Sequence, residues 1–487
     1  MPESNPHEFK RRLNVFDSTM IVMGSMIGSG IFIVSADMGR ELGSPGLLLL
    51  AWVVTGLMTI FAAVSYGELA AMMPQAGGIY VYLREAYGSL YGFLYGWTLF
   101  LVIQTGTIAA VGMAFAKYLG VLVPWISESN VLVDLGFVQF STTHLVAIAS
   151  ILFLTWVNMR GVEEGKWVQN VFTFTKSAIL IVFIVAGLWV TRGVSIGEMN
   201  PQGMWNAASN MDGTLLPLTG FALFATLGTA MVGSLFSADA WYNVTFASAE
   251  VIKPKRTIPL SLLMGTLIVS VIYILVNVVY LKALPLRGSA DGLTVMERGI
   301  QFASEDRVGT AAMYGLLGTY AELIMALIVV ISTFGCNNGI ILTGPRVYYA
   351  MAQDGLFFKK IGKLSYRNVP AIGLAIQGLW GILLCLSGTY SDLLDYVIFA
   401  VLIFNILIIG TIFVFRIKHP EYERPYKAWG YPVLPVIYIL LSVFIMIMLL
   451  IYKPDYTWPG LIVVLLGVPV YFAWSRNKHK KDIQSRM

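Results

Sequence analysis

Twelve stretches of about 20 apolar residues follow one another along this chain, and they confine it to a bundle of membrane-spanning helices. Hydrocarbon offers no partner to a backbone N–H or C=O, so each stretch has to close its own hydrogen bonds as a helix. The stretches lie near 16–38, 47–73, 90–123, 141–160, 167–190, 217–249, 258–283, 312–344, 370–388, 392–416, 432–451 and 457–475. A soluble chain carries about 25% charged residues. Here the share is 12% of 487 residues, with a mean hydropathy of +0.74. Residues 1–15 are polar and basic, and the first stretch is long enough to stay in the bilayer, so no cleaved leader is expected. Both cysteines, Cys336 and Cys385, fall inside apolar stretches, which excludes a secreted disulfide framework. The expected class is an all-α integral membrane protein with twelve transmembrane helices.

The basic residues fix an expected orientation. With a cytoplasmic N-terminus, 23 of the 32 Lys and Arg residues fall on the inner side and seven on the outer, while Lys117 and Lys176 lie within stretches. That asymmetry places both termini in the cytoplasm. The first and sixth stretches are the ones interrupted near their middles. Five helices separate their starts, so the two halves must sit with opposite orientation, as an inverted 5+5 repeat requires. The expected organisation is a cytoplasmic segment 1–15, a first repeat 16–190 and a second repeat 217–416, then two appended helices 432–475 and a cytoplasmic tail 476–487.

In the first stretch the interruption is Gly28-Ser29-Gly30, and in the second it is expected from Gly233 through Asp239. Gly28 lies twelve residues into its stretch, about 18 Å, near the centre of a core roughly 30 Å thick. Amides freed at Ser29, Gly30 and Ile31 would open a second half-helix and attract a carboxylate. Carbonyls freed at the end of each first half-helix would attract an ammonium. Together they describe a site for a zwitterion the size of an α-amino acid. Small residues also serve in membrane helices simply to let neighbours pack closely. Two breaks in corresponding positions favour the site.

The residues around these breaks resemble the amino acid–polyamine–organocation superfamily, and within it the L-type amino acid transporter branch. Gly28-Ser-Gly-Ile-Phe32 is similar to its first-helix signature, and Tyr66 through Tyr80 with Glu85-Ala-Tyr-Gly88 to its connection between helices 2 and 3. Asn158, Gly161, Val168, Gln169, Phe172 and Lys176 match the pattern around helix 5. Phe236, Trp241, Glu250 through Pro259, Ser332 through Gly339, Arg346, Gly355 and Glu423-Arg-Pro425 complete it. The resemblance implies a LeuT-type fold, a plasma-membrane location and sodium-independent amino acid transport, frequently by exchange. Carried over by position, the backbone of Ile27, Ser29, Gly30 and Ile31 would hold the substrate's α-amino and α-carboxyl groups, and Phe236 would close over it. Eukaryotic L-type members join a heavy chain through a cysteine between helices 3 and 4. Residues 124–140 contain none, so no disulfide-linked heavy chain is expected.

Several polar residues lie deep. Lys176, ten residues past Lys166 on the fifth stretch, falls near the midplane, where a lysine costs about 2.5–3.5 kcal/mol to insert. In the family a lysine here occupies the region where sodium-coupled relatives hold a cation, so Lys176 is expected to substitute for the ion and tie helix 5 to the break in helix 1. Asp239 departs from the family pattern. Four roles stay open for it: contact with a cationic substrate, an ion pair with Lys176 or Lys117, a proton carrier, or a wall of a water-filled vestibule. Ser237 beside it is a further substrate candidate. Glu68 is a gate or a structural cap, with Arg84 or an inner-loop lysine as its expected partner. Lys117 is expected to snorkel outward. Glu322 is expected to face a cavity, and Asn337 and Asn338 either the site or a neighbouring helix. Asn243-Val-Thr245 reads as a glycosylation acceptor but lies within a stretch and is set aside.

Other classes of chemistry find no support in the sequence. His7, His144, His419 and His479 are scattered, so no metal or other cofactor is called for. Neither a P-loop nor a nucleophile elbow is present, which leaves a gradient or a counter-substrate as the driving force. Neither an enzyme nor a nucleic-acid partner is expected. The expected function is alternating-access transport of an amino acid within the lipid bilayer. Its rivals are a proton-coupled or exchanging carrier of cationic amino acids or polyamines, and an amino acid-sensing receptor that binds without translocating. The short termini argue against the receptor.

Overall fold

The computed structural model describes residues 9–134, 139–211, 213–386 and 390–484. It is all-α apart from two short hairpins, Val131–Asp134 with Gln139–Ser141 and Ala208–Ser209 with Leu216–Pro217. Among the described residues, eleven helical spans are long and apolar enough to cross a bilayer, and Ala371–Cys385 is a shorter apolar helix. At 15 residues it reaches about 22 Å and completes a set of twelve.

These are α1 (Val15–Met26, resuming as Gly30–Ile33 and Ser35–Leu42), α2 (Pro45–Met72), α3 (Ser89–Leu122), α4 (Thr142–Arg160) and α5 (Val162–Val190). Then come α6 (Gly220–Ser237, resuming as Trp241–Thr245), α7 (Pro254–Ala283), α8 (Ala321–Thr343), α9 (Ala371–Cys385), α10 (Tyr390–Lys418), α11 (Val433–Tyr452) and α12 (Pro454–Gln484). The expected eighth stretch is divided. Its start is a separate helix, Val308–Leu317, and Gly318 at φ +59° ends it before α8 begins.

The starts of these helices follow local chemistry. Asn14 caps α1, accepting from the amide of Asp17 at 2.9 Å, while the Asp17 carboxylate accepts from the Asn14 amide at 3.0 Å. Ser44 caps α2 and Pro45 opens it, where a missing N–H costs nothing. Within the bundle α1 packs on α5, α7 and α8 and on the short second half of α6, while α2 packs along α7. α11 and α12 lie at the periphery, with leucines and isoleucines facing outward as lipid contact requires.

α1 and α6 run antiparallel. The segment before α1 is stitched to the chain just after α6. The amides of Arg12 and Leu13 donate to the Glu250 carbonyl at 2.7 and 3.0 Å, and the Ile252 amide donates to the Leu13 carbonyl at 2.8 Å. Lys10, Arg11, Arg12, Lys253, Lys255 and Arg256 flank this stitch and make this end the basic face of the molecule.

Candidate functional site

Breaking a helix frees carbonyls that need donors. At the α1 break side chains from three other helices supply them. The Lys176 ammonium on α5 donates to the carbonyls of Gly24 at 2.7 Å, Ile27 at 2.5 Å and Ser332 at 3.3 Å. Its three N–H bonds match three acceptors, so a lysine with no exposed surface is held by carbonyl dipoles rather than by a carboxylate. The Ser332 hydroxyl on α8 lies 3.1 Å from the carbonyls of both Ile27 and Gly28, and Cys336 Sγ lies 3.1 Å from that of Ser25.

The second break falls later than the glycine in the sequence indicates. α6 runs unbroken through Gly233 to Ser237 and turns at Ala238-Asp239-Ala240, with Ala240 left-handed at φ +63°. Gly233 serves packing instead. A Cβ there would lie 3.1 Å from Val34 Cβ and 3.3 Å from Met38 Cγ, so the glycine lets α6 approach the second half of α1.

One side chain joins the two breaks. The Tyr273 hydroxyl on α7 lies 3.0 Å from the Met26 carbonyl and 3.0 Å from the Ser237 carbonyl. At Gly30 the breaks meet directly, since a Cβ there would sit 2.3 Å from Ser237 Oγ.

Between the breaks lies a cavity of about 20 Å³, room for about one water molecule. Gly28, Ser29, Gly30, Phe236, Ser237 and Asp239 line it. Ile27 and Ile31 do not, and their carbonyls are turned elsewhere, that of Ile27 to Lys176 and Ser332 and that of Ile31 to the Tyr280 hydroxyl. Sequence reasoning missed the far wall, Thr107 and Val111 on α3 and Cys336 on α8. It also missed Tyr273. A tyrosine amid an apolar stretch carries no spacing signal, and only the fold shows what its hydroxyl meets.

Asp239 pairs with neither lysine proposed for it. Lys176 is occupied by carbonyls, and Lys117 reaches Glu128 at 2.8 Å. Asp239 Oδ2 accepts from the Tyr242 hydroxyl at 3.3 Å. The residue also lines a second small cavity on its other side, with Thr59, Asn405 and Tyr438.

The remaining candidates lie away from the cavity. Glu68 takes neither Arg84 nor an inner-loop lysine as its partner. Arg416 reaches it bidentately at 3.0 and 2.7 Å, the Ala428 amide at 2.6 Å and Arg424 at 3.7 Å. Arg84 instead pairs with Asp354, which also accepts from the Tyr80 hydroxyl at 2.6 Å. Burial and that carboxylate hold the Tyr80 phenol well above its ordinary value. A third basic-face pair, Glu250 with Arg346, has both side chains 1% exposed. Asn337 donates to the Ile108 carbonyl, and Asn338 to the Gly165 carbonyl and Gln169, so both join helices. Glu322 stands at the start of α8, largely exposed and 3.8 Å from Arg307, and faces a cavity of about 180 Å³ that Arg298, Arg307 and Tyr314 also line.

The opposite face is also tied. Arg40 holds Asp306 at 2.6 and 3.1 Å, and Lys453 holds Glu41 at 2.8 Å. Ion pairs thus tie helices together at both ends of the molecule. Among the described residues no cluster of three metal-type ligands exists.

The sequence matches known proteins along nearly its whole length. The family model for amino acid permeases covers residues 13–472. The chain is 28% identical over 478 residues to the b(0,+)-type amino acid transporter 1 of Mus musculus, covering 96% of this chain and 90% of that one. It is 26% identical over 473 residues to the serine/threonine exchanger SteT of Bacillus subtilis, covering 96% and 98%. Against the large neutral amino acids transporter small subunit 2 of Mus musculus it is 29% identical over 477 residues, covering 97% and 82%. A chain matched from before its first spanning helix into its last belongs to the amino acid permease family, as a multi-pass membrane transporter and not an enzyme.

Proposed function

We propose that this protein is a sodium-independent exchanger of amino acids that works by alternating access around the breaks in α1 and α6. The observation that carries the reading is the Lys176 ammonium on the carbonyls of Gly24 and Ile27, a fixed cation where a mobile one would otherwise be needed. The amides of Ser29, Gly30 and Ile31 would take the substrate carboxylate. Carbonyls at the ends of the first half-helices that keep a lone pair, such as those of Met26 and Ser237, would take its ammonium. Phe236 would close over the bound molecule. Exchange is the activity named for the Bacillus subtilis relative, which is similar over 96% of the chain.

In this reading α1, α2, α6 and α7 rock against the other helices, and 16–190 and 217–416 act as the two repeats. The excess of basic residues at the end that holds Arg12 and Lys253 supports cytoplasmic termini in a plasma membrane. Residues 124–140 hold no cysteine, which supports a carrier that works without a disulfide-linked heavy chain.

The test is counterflow in proteoliposomes with the twenty amino acids, putrescine and agmatine, with and without sodium. Uptake driven by internal amino acid and unchanged by sodium is expected. A sodium requirement would overturn the role given to Lys176, and binding without counterflow would make the chain a sensor. A second reading rests on Asp239, a carboxylate in the cavity wall with no cationic side chain paired to it among the described residues. It favours cationic amino acids or polyamines, or proton coupling. Unchanged substrate range and affinity in Asp239→Asn would remove it.

A further inference from the structure

A cleft of about 470 Å³ opens on the basic face, far from the substrate cavity and in the size range of small-molecule pockets, about 300–1,000 Å³. Three separate pieces of chain build it: the segment before α1, the turn between α4 and α5, and the loop before α9. Four cations line it, Lys10, Arg12, Arg160 and Arg367, against two carboxylates, Glu163 and Glu164.

Pairing leaves the cations in excess. Arg12 at 3.3 Å and Lys166 at 2.8 Å both hold Glu163. Lys10, Arg160 and Arg367 meet no carboxylate among the described residues. Arg367 is positioned by its bond to the Arg160 carbonyl at 2.7 Å, which brings the two guanidinium-bearing residues together. Beside them Asn368 Oδ1 is buried without a hydrogen-bond donor. The Arg160 guanidinium lies 4.7 Å above the Trp156 ring, and Trp156, one turn along α4, is 51% exposed on the surface that faces lipid. The cleft therefore sits at the membrane boundary, with the exposed Trp156 ring beside its Arg160 wall.

We propose that this cleft binds the phosphate of an anionic lipid headgroup. Lys10, Arg160 and Arg367 neutralise the phosphate, and the Asn368 amide oxygen and Glu164 accept from the hydroxyls of a glycerol headgroup. The exposed Trp156 ring beside the cleft takes the start of an acyl chain. Arg12 belongs both to the cleft and to the stitch between α1 and the end of α6, so a bound lipid also bears on the segment that leads into the broken helix.

The test measures thermal stabilisation of the full-length protein in neutral detergent by short-chain phosphatidylglycerol, short-chain phosphatidylcholine and inorganic phosphate. Phosphatidylglycerol is expected to stabilise at a concentration at least tenfold lower than phosphatidylcholine, and to lose that advantage in Lys10→Gln/Arg160→Gln. Stabilisation of Lys10→Gln/Arg160→Gln equal to that of the wild type overturns the proposal, as does equal response to the two lipids. Equal response to inorganic phosphate overturns the lipid as the source. A melting temperature of the variant without lipid within a degree of wild type shows that it folds. If it falls further, Arg160→Lys with Lys10→Gln, which keeps a cation over Trp156, replaces it, and unchanged preference for phosphatidylglycerol in that variant and in Lys10→Gln alone overturns the role of Lys10.

Discussion

The ammonium of Lys176 lies 2.5 Å from the carbonyl oxygen of Ile27, the residue at which α1 ceases to be helical. One positive charge thus closes the accounts of a broken helix. Without it, two α1 carbonyls at bilayer depth would lose their lysine donor. Lys176→Met should reduce counterflow at least tenfold in any cation, and sodium should not restore it. Lys176→Gln, which keeps an N–H donor, should retain more activity than Lys176→Met.

Tyr273→Phe removes one hydroxyl and leaves the Met26 and Ser237 carbonyls without it. An orphaned buried acceptor costs about 1–3 kcal/mol. Because the hydroxyl spans both breaks, exchange should fall about tenfold while the protein remains folded. Initial-rate transport against a melting curve checks this, and a loss in stability alone would contradict it.

The glycines differ in what they tolerate. At Gly30 an added methyl would strike Ser237, with Oγ at 2.3 Å, Cβ at 3.0 Å and Cα at 3.2 Å. Gly30→Ala should abolish transport, and Ser237→Gly in the same chain should recover part of it. At Gly28 the nearest atom is Cys336 Sγ at 3.2 Å, a side chain able to shift slightly, so Gly28→Ala should lose less than tenfold.

Cys336 lines the cavity, whereas Cys385 sits on α9 beside the Ala109 carbonyl. A small thiol reagent should inactivate transport through Cys336 whenever the cavity opens, and saturating substrate should slow inactivation severalfold. Cys336→Ala should be resistant, and Cys385→Ala should behave as wild type. Equal inactivation with and without substrate would place Cys336 outside the substrate's path.

Glu68 is 1% exposed and takes bonds from Arg416, Arg424 and the Ala428 amide, joining α2 to α10 and the chain beyond it. Glu68→Gln leaves two guanidinium groups without their carboxylate, at a cost on the order of 3 kcal/mol. Its melting temperature should drop by several degrees. Labelling of Cys336 from the basic face should quicken, because that end is less firmly closed.

The fold could be read from composition because insertion into a bilayer allows so few alternatives. The twelve apolar stretches correspond to the described helices even where α9 is short. Gly28 was legible as a break because Ser29 and a second glycine follow it in an otherwise apolar run. Gly233 misled, because a packing glycine and a helix-breaking one look alike until a neighbour such as Val34 is in view. The partner of Glu68 was illegible for a simpler reason. Arg416 lies 348 residues away, and only the closed bundle brings it near.

The stitch between Leu13 and the strand-like residues around Val251 makes the halves of α1 and α6 at the basic face a single lever. Separating them would break three backbone hydrogen bonds, each worth about 0.5–1.5 kcal/mol, and would leave their groups to be paired again. Swinging them together breaks none. In the proposed exchange the two would therefore move as one door on the basic face, and a substrate that engages either break alone would hold or release both leaves of it.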